Sequence, residues 1–493
     1  MGANRRIPTR MTKGEISLAN PTCAFEGPMK LRAIWSILGC VALIAAGCSE
    51  SEPPRGTAII HVTVIDAAEG PRANHTVIFD GDEILAVAPS DSAELPPAAE
   101  TIDGSGKFLI PGLWDMHVHL TYDDGFADSM PELFLAHGIT SVRDTVGLID
   151  KLQPVVEAMR APDARAPRVF FSGPLLDGEF VVYDGGSSPE IGTQNSTVEM
   201  AEANVAALVG SGVDFIKTYE MLSPEVFEAL TAAGQRAGLP IAAHIPLSML
   251  ARDAGPSVDS MEHLRNVELD CAGGAEELLQ ERLDILAAHE EGPGGALRSR
   301  LHSLQRLPAV NAHDEERCDA TIASLASTIQ VPTLRLNTLS MHPPFDRSDW
   351  EEGVAMVPTE VRDQWSAMLD GFRDSAFMRD TTFGEWTLSM VGRMHAAGVP
   401  IGAGTDTPIG LSIPGYSLHT ELERLVDAGL SPIEAIESAT VRPAEFFSLE
   451  DEMGSIRIGQ RADLVLLDAN PLEDIANTRS IHKVVSKGVV VIE

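Results

Sequence analysis

The sequence predicts an α/β protein: a (β/α)8 TIM-like barrel joined to a small β-sandwich domain built from both ends of the chain. Three observations carry that reading. Between residues 111 and 444, short apolar runs alternate with helical patterns eight times, the signature of parallel βα units in the number that closes such a barrel. Residues 57–110 and 445–493 are each rich in short alternating β segments. The 493 residues, 44% hydrophobic and 22% charged, suffice for a large buried core and exclude a disordered chain.

Taken in chain order, residues 1–28 carry no recognisable signal and read as an upstream extension before a start at Met29. Met29-Lys30-Leu31-Arg32 is a basic start, and the apolar run Ala33 to Ala46 follows it. That run is shorter than the roughly 20 residues a membrane span needs, so 29–47 reads as a signal peptide. It ends in Ile44-Ala45-Ala46-Gly47-Cys48, which resembles a bacterial lipoprotein signal with Cys48 as the acylated residue. The expectation is an exported, periplasm-facing lipoprotein anchored to the outer membrane, with 48–56 as a solvated tether. Once the leader is gone, Cys271 and Cys318 remain beside Cys48. They could pair in an oxidising compartment, although sequence does not give their separation.

The first β segment, 57–110, contains Ala58 to Ile65 and the turn Asp80-Gly81-Asp82 before Ile84 to Val87. The barrel strands are expected at Gly112 to His119, Thr140 to Asp144, Arg168 to Ser172, Asp214 to Thr218, Ile241 to His244, Asp259 to His263, Val331 to Leu334 and Pro400 to Asp406. Helical patterns such as Pro224 to Ala237 and Pro432 to Ala439 lie between them. An insert at 266–328, rich in Glu and Leu, is expected to be helical, and 342–395 forms a second excursion. The second β part, 445–493, contains Ala462 to Asp468, Lys483-Val484-Val485 and Val489 to Ile492.

The formal charge of −36 excludes a nucleic-acid partner, which requires a basic footprint. Contact with a membrane is expected only through the lipid anchor, and assembly of identical chains is left open. Lysine is scarce: seven residues, of which only Lys151 and Lys217 lie between Lys107 and Lys483.

Catalytic groups of such barrels sit at the C-terminal ends of the strands. Those ends carry His117, His119, Lys217, His244, His263 and Asp406. His117 and His119 alternate on one strand and face the same side. Four imidazoles and a carboxylate make a nitrogen and oxygen donor set suited to Zn²⁺.

Ile110-Pro111-Gly112-Leu113-Trp114-Asp115-Met116-His117-Val118-His119 resembles the strand-1 metal motif of the amidohydrolase superfamily. Asp214 to Lys217, Ala242-Ala243-His244, Met261-Glu262-His263 and Gly404 to Thr407 are similar to its later motifs in the same order, and Gly454-Ser455-Ile456 with Ala462 to Val465 to its C-terminal β segment. The likeness is greatest to the imidazolonepropionase-like branch that includes Xaa-Pro dipeptidases and carboxypeptidases.

The resemblance implies two divalent metals, zinc by preference. His117, His119 and Asp406 would hold one, His244 and His263 the other, and Lys217 would bridge them as a carbamate. A free ammonium cannot ligate a cation, whereas a carbamate is an anionic bridge. The implied reaction is hydrolysis of an amide bond by metal-bound hydroxide, with Asp406 moving the proton and Tyr219 donating to the oxyanion. The implied substrate is a small amide or peptide: a dipeptide of Xaa-Pro type or an N-acyl amino acid. Hydrolysis of a cyclic amide of the imidazolone or lactam type is the alternative, and a catalytically silent binding lipoprotein is another. Arg143, Arg265 and His342 are candidates for contacting substrate, the arginines through its carboxylate. His419 reads as a helix packing residue and His137 as part of a helix stop.

Overall fold

The computed structural model describes residues 56–126, 128–186, 188–375 and 377–492. The extension 1–28, the leader 29–47, Cys48 and all of the 48–56 tether except Gly56 lie outside them. Among the described residues no helix is long and apolar enough to cross a membrane.

Five strands come first: β1 (Thr57–Asp66), β2 (Gly70–Asp80), β3 (Glu83–Pro89), β4 (Glu100–Asp103) and β5 (Phe108–Pro111). Nine short strands follow: β6 (Leu113–Val118), β7 (Ile139–Asp144), β8 (Arg168–Phe171), β9 (Leu175–Asp177), β10 (Gly192–Gln194), β11 (Ile216–Thr218), β12 (Ile241–Ala243), β13 (Ser260–Glu262) and β14 (Ile329–Val331). The chain closes with β15 (Leu464–Leu467), β16 (Ile481–Ser486) and β17 (Val489–Ile492).

The two chain ends do assemble together, but not as the expected sandwich of two sheets. They form one eight-stranded sheet in the order β17-β16-β15-β5-β1-β2-β3, with β4 paired to β1. β5 causes this. It pairs in parallel with β1 on one edge and antiparallel with β15 on the other, from Leu464 opposite Pro111 to Leu467 opposite Phe108. The halves are therefore joined by hydrogen bonds instead of facing each other across a gap. Ile59, Val77, Phe79, Ile84, Leu109, Leu464 and Leu466 share one buried cluster, so the sheet curls around its own apolar face.

In the middle of the chain β6, β7 and β8 pair in parallel, and so do β9, β11, β12, β13 and β14, with β10 on the edge of β9. Asp214 N donates to Phe171 O at 2.9 Å, linking the two groups. Residues 400–407 link them again: Gly402 N bonds Gln330 O at 2.8 Å, Met116 N bonds Ala403 O at 2.9 Å and His119 N bonds Thr407 O at 2.9 Å. With β8 and β9 counted as one interrupted strand, eight parallel segments thus form a hydrogen-bonded circuit. β11, β12, β13 and β14 are buried at every position, as parallel strands covered by helices must be.

The seventh strand differs from expectation. It spans Ile329–Val331 rather than 331–334, because Pro332 has no N–H for a ladder and Thr333 turns into the left-handed region at φ 46°. Local capping explains the helices. Pro224–Ala237 starts where the Ser223 side chain accepts from Val226 N and ends at left-handed Gly238.

The insert is helical: Val267–Asp270, Ala275–Ala287, Gly294–Asn311 and Glu315–Ser324. Its ends are tied by a disulfide between Cys271 and Cys318, 47 residues apart. By chain entropy a closed loop of that length stabilises by roughly 4 kcal/mol. Cys271→Ser with Cys318→Ser, or reduction of the native chain, is expected to lower the thermal midpoint; an unchanged midpoint would contradict this.

Candidate metal centre and active site

All six strand-end groups predicted from sequence face one cavity of about 200 Å³: His117, His119, Lys217, His244, His263 and Asp406 line it together. Alternation along β6 sends His117 and His119 to the same side. Asp406 reaches them because position 404 is glycine, where a Cβ would lie 2.8 Å from the His117 Cβ. Asp406 and His263 hold φ of 63° and 59°, a conformation that costs non-glycine residues about 1–3 kcal/mol and that clusters at functional sites.

The ligand atoms of His117, His263 and Asp406 all lie within 4.8 Å of one another. Asp406 Oδ1 is 2.8 Å from His119 Nε2, 3.2 Å from His117 Nε2 and 3.9 Å from His263 Nε2. Each imidazole is tied by its other nitrogen to an outer group. His117 Nδ1 meets Glu262 at 2.5 Å, His119 Nδ1 meets Thr145 Oγ1 at 3.3 Å, His244 Nδ1 meets Glu220 at 2.8 Å and His263 Nδ1 meets Thr333 Oγ1 at 2.6 Å. This is how metal-ligating histidines are oriented. Burial keeps His244 and His263 far below the usual imidazole range, hence in the neutral form that binds metals.

Lys217 is 1% exposed, and its Nζ has no hydrogen-bond partner among the described residues. Burial pushes its ammonium down to about 7. An unpartnered buried amine lining one cavity with four histidines and a carboxylate is costly by itself. The donor set therefore fits divalent-metal binding.

Other cavity walls come from Tyr122, Tyr183, Tyr219, Arg265 and Arg298. Tyr219, two residues after Lys217, stacks on His244 with centroids 4.4 Å apart. Beside it lies Glu220, which sequence reasoning missed. Glu220 gathers His244, His302 Nε2 at 2.6 Å, Arg298 Nε at 3.1 Å and Arg265 Nε at 3.4 Å. Arg298 and His302 belong to the insert helix Gly294–Asn311, where their i, i+4 spacing puts them on one face. Leu297 and Leu301 anchor that helix on Leu247. Gly294 permits close approach, since a Cβ there would lie 2.1 Å from Phe180 O. The insert therefore forms part of the cavity wall.

Two predicted substrate contacts are corrected. Arg143 is fully buried and absent from the cavity wall. It lies beneath the site, donating to Met116 O, to Ser260 Oγ at 2.9 Å and to Glu262 at 2.7 Å, and it stacks over Phe446. Burial would raise the Glu262 carboxyl, but Arg143, Lys217 and His117 outweigh it and hold the group well below the usual carboxylate range. Arg143 thus positions Glu262, which orients His117. His342 is also outside the cavity wall. It is exposed, with Arg424 and Asp427 as its charged neighbours, because the short helix Leu334–Asn337 carries the chain away from the strand end.

Residues 387–491, which include Asp406, match the model of the Amidohydrolase family. That match bears out the resemblance drawn from the strand-end motifs, and the branch it named is represented among the relatives. The ochratoxinase of Aspergillus niger is 25% identical over 448 residues, 85% of this chain and 82% of that protein. The imidazolonepropionase of Symbiobacterium thermophilum is 24% identical over 442 residues, 87% of this chain and 89% of that one. A solved Xaa-Pro dipeptidase with methionine bound in its active site covers 89% of this chain and 100% of its own, with a TM-score of 0.64 at 19% identity, a likeness of fold.

Proposed function

We propose that the protein is a (β/α)8-barrel hydrolase with two divalent metals, acting on the amide bond of a small substrate that bears a free carboxylate, an N-acyl amino acid or a dipeptide. One observation carries this reading: four histidines, each tied by Nδ1 to an outer group, line one cavity together with Asp406 and buried Lys217, whose Nζ is unpartnered among the described residues. His117, His119 and Asp406 would hold one metal, His244 and His263 the second, and Lys217 as a carbamate would bridge them. When bound, such metals lower the pKa of water to about 7 and polarise a carbonyl.

The remaining work falls to side chains. Asp406 accepts the proton of the water that adds to the carbonyl carbon, then delivers it to the amide nitrogen as the C–N bond breaks. A carboxylic acid and an amine result. The Tyr219 hydroxyl donates to the oxygen that gains charge. Arg265 and Arg298 share one wall with a single carboxylate, Glu220, so that wall has positive charge in excess and suits a substrate carboxylate. This favours carboxylate-bearing amides over an uncharged cyclic amide.

We also propose that the chain is exported and anchored through Cys48, which the Cys271–Cys318 disulfide supports, since such bonds persist in oxidising compartments. Turnover is tested with a panel of dipeptides, N-acyl amino acids and lactams on zinc-loaded protein. Cleavage of carboxylate-bearing amides is expected. Lactam opening without it would favour the cyclic-amide reading, and no cleavage at all would leave the silent binder.

A further inference from the structure

The cavity at the ligand cluster continues outward. Two of its wall residues, Tyr122 and Ile409, also line a second hollow of about 560 Å³. One side of this groove is the helix Thr359–Arg373, which presents Trp365, Met368, Leu369 and Phe372. Their spacing of i, i+3, i+4 and i+7 makes a single apolar stripe. The other side is the segment Pro408 to Leu411. Among the described residues no charged side chain lines the groove, and its only side-chain hydroxyls are those of Tyr122 and Ser375. Trp365 is held from below by Phe126 and Trp350, while Met368 is 54% exposed. The stripe is thus a firm apolar floor open to solvent in a strongly acidic protein, the kind of surface that marks a binding site.

Position in the circuit says what it binds. Tyr122 follows β6 and Ile409 follows the 400–407 segment, which neighbour each other. Glu220 follows β11 and His244 follows β12, on the opposite side of the eight-segment circuit, and Glu220 holds Arg298 of the insert there. A substrate that places its carboxylate at Arg265 and Arg298 and its amide at the ligand cluster must direct its other half towards Tyr122 and Ile409. The inner cavity alone is smaller than the roughly 300–1,000 Å³ usual for small-molecule sites, and cavity plus groove falls within that range.

We propose that the groove is the acyl subsite, and that the substrate is an N-acyl amino acid with a long apolar acyl chain instead of a Xaa-Pro dipeptide. The groove takes this role through the hydrolase reading proposed above, which it narrows to one substrate class.

Two readouts separate the claims. The first is kcat/KM on zinc-loaded full-length protein for the N-acetyl, N-hexanoyl and N-decanoyl derivatives of alanine, proline and phenylalanine. A rise of at least tenfold from acetyl to decanoyl is expected. Met368→Glu, an exposed change on the groove floor, is expected to erase the rise, so that the variant turns over the decanoyl and acetyl derivatives within a few-fold of each other. The second is calorimetric binding of decanoate against acetate to metal-free protein, with decanoate alone binding and Met368→Glu weakening it at least tenfold. Turnover independent of chain length, together with no decanoate binding, would overturn the groove assignment and leave the hydrolase standing. Decanoate binding that is lost in the variant, with no amide cleaved, would support the groove and overturn the hydrolase.

Discussion

Replacing Asp406 with asparagine is expected to abolish most turnover while metal stays bound. The amide keeps the size of the carboxylate and an oxygen near His117 and His119, where Asp406 Oδ1 now lies at 3.2 and 2.8 Å. What it loses is the ability to accept a proton. Proton transfer by a positioned side chain is worth about 10²–10⁴-fold, so kcat of Asp406→Asn should fall within that range, with metal content by mass spectrometry unchanged. Steady-state kinetics on a cleaved N-acyl amino acid checks it. A variant within a few-fold of wild type would remove Asp406 from the proton path.

The largest stability effect is expected at Arg143. Its guanidinium and Glu262 are both completely buried and 2.7 Å apart. Arg143→Met removes the guanidinium that stacks over Phe446 and leaves the buried Glu262 carboxylate with hydrogen bonds only from Ser260 Oγ and His117. Breaking a buried pair by removing one partner costs about 3–5 kcal/mol. The thermal midpoint should drop markedly, and metal affinity should fall with it because Glu262 orients His117. An Arg143→Met chain as stable as wild type would show that Glu262 does not need its cation.

These two residues also mark how far the sequence can be read. His117, His119, Lys217, His244, His263 and Asp406 are legible because each ends a short apolar run, and strand alternation is a local rule. Scarcity of lysine makes Lys217 conspicuous. Arg143 ends a run in the same way, but whether a buried guanidinium faces substrate or a carboxylate depends on Glu262, 119 residues later in the chain. Glu220 and Arg298 were missed for the same reason. The packing of the insert brings them together, although the i, i+4 spacing of Arg298, His302 and Arg306 beside Leu297 and Leu301 is a detectable polar stripe. Two β-rich ends announce a small domain, yet only the two-sided pairing of β5 decides between one curled sheet and a sandwich. At the seventh strand, Pro332 was the available signal for an earlier end.

The central claim is a pair of catalytic metals held by these six side chains. Its most direct test is the metal content of purified, dialysed protein, measured by inductively coupled plasma mass spectrometry alongside amide hydrolysis. The proposed function predicts two divalent ions per chain, loss of turnover on chelation and recovery with zinc. An active protein with well under one metal per chain, or turnover unmoved by complete chelation, would contradict it.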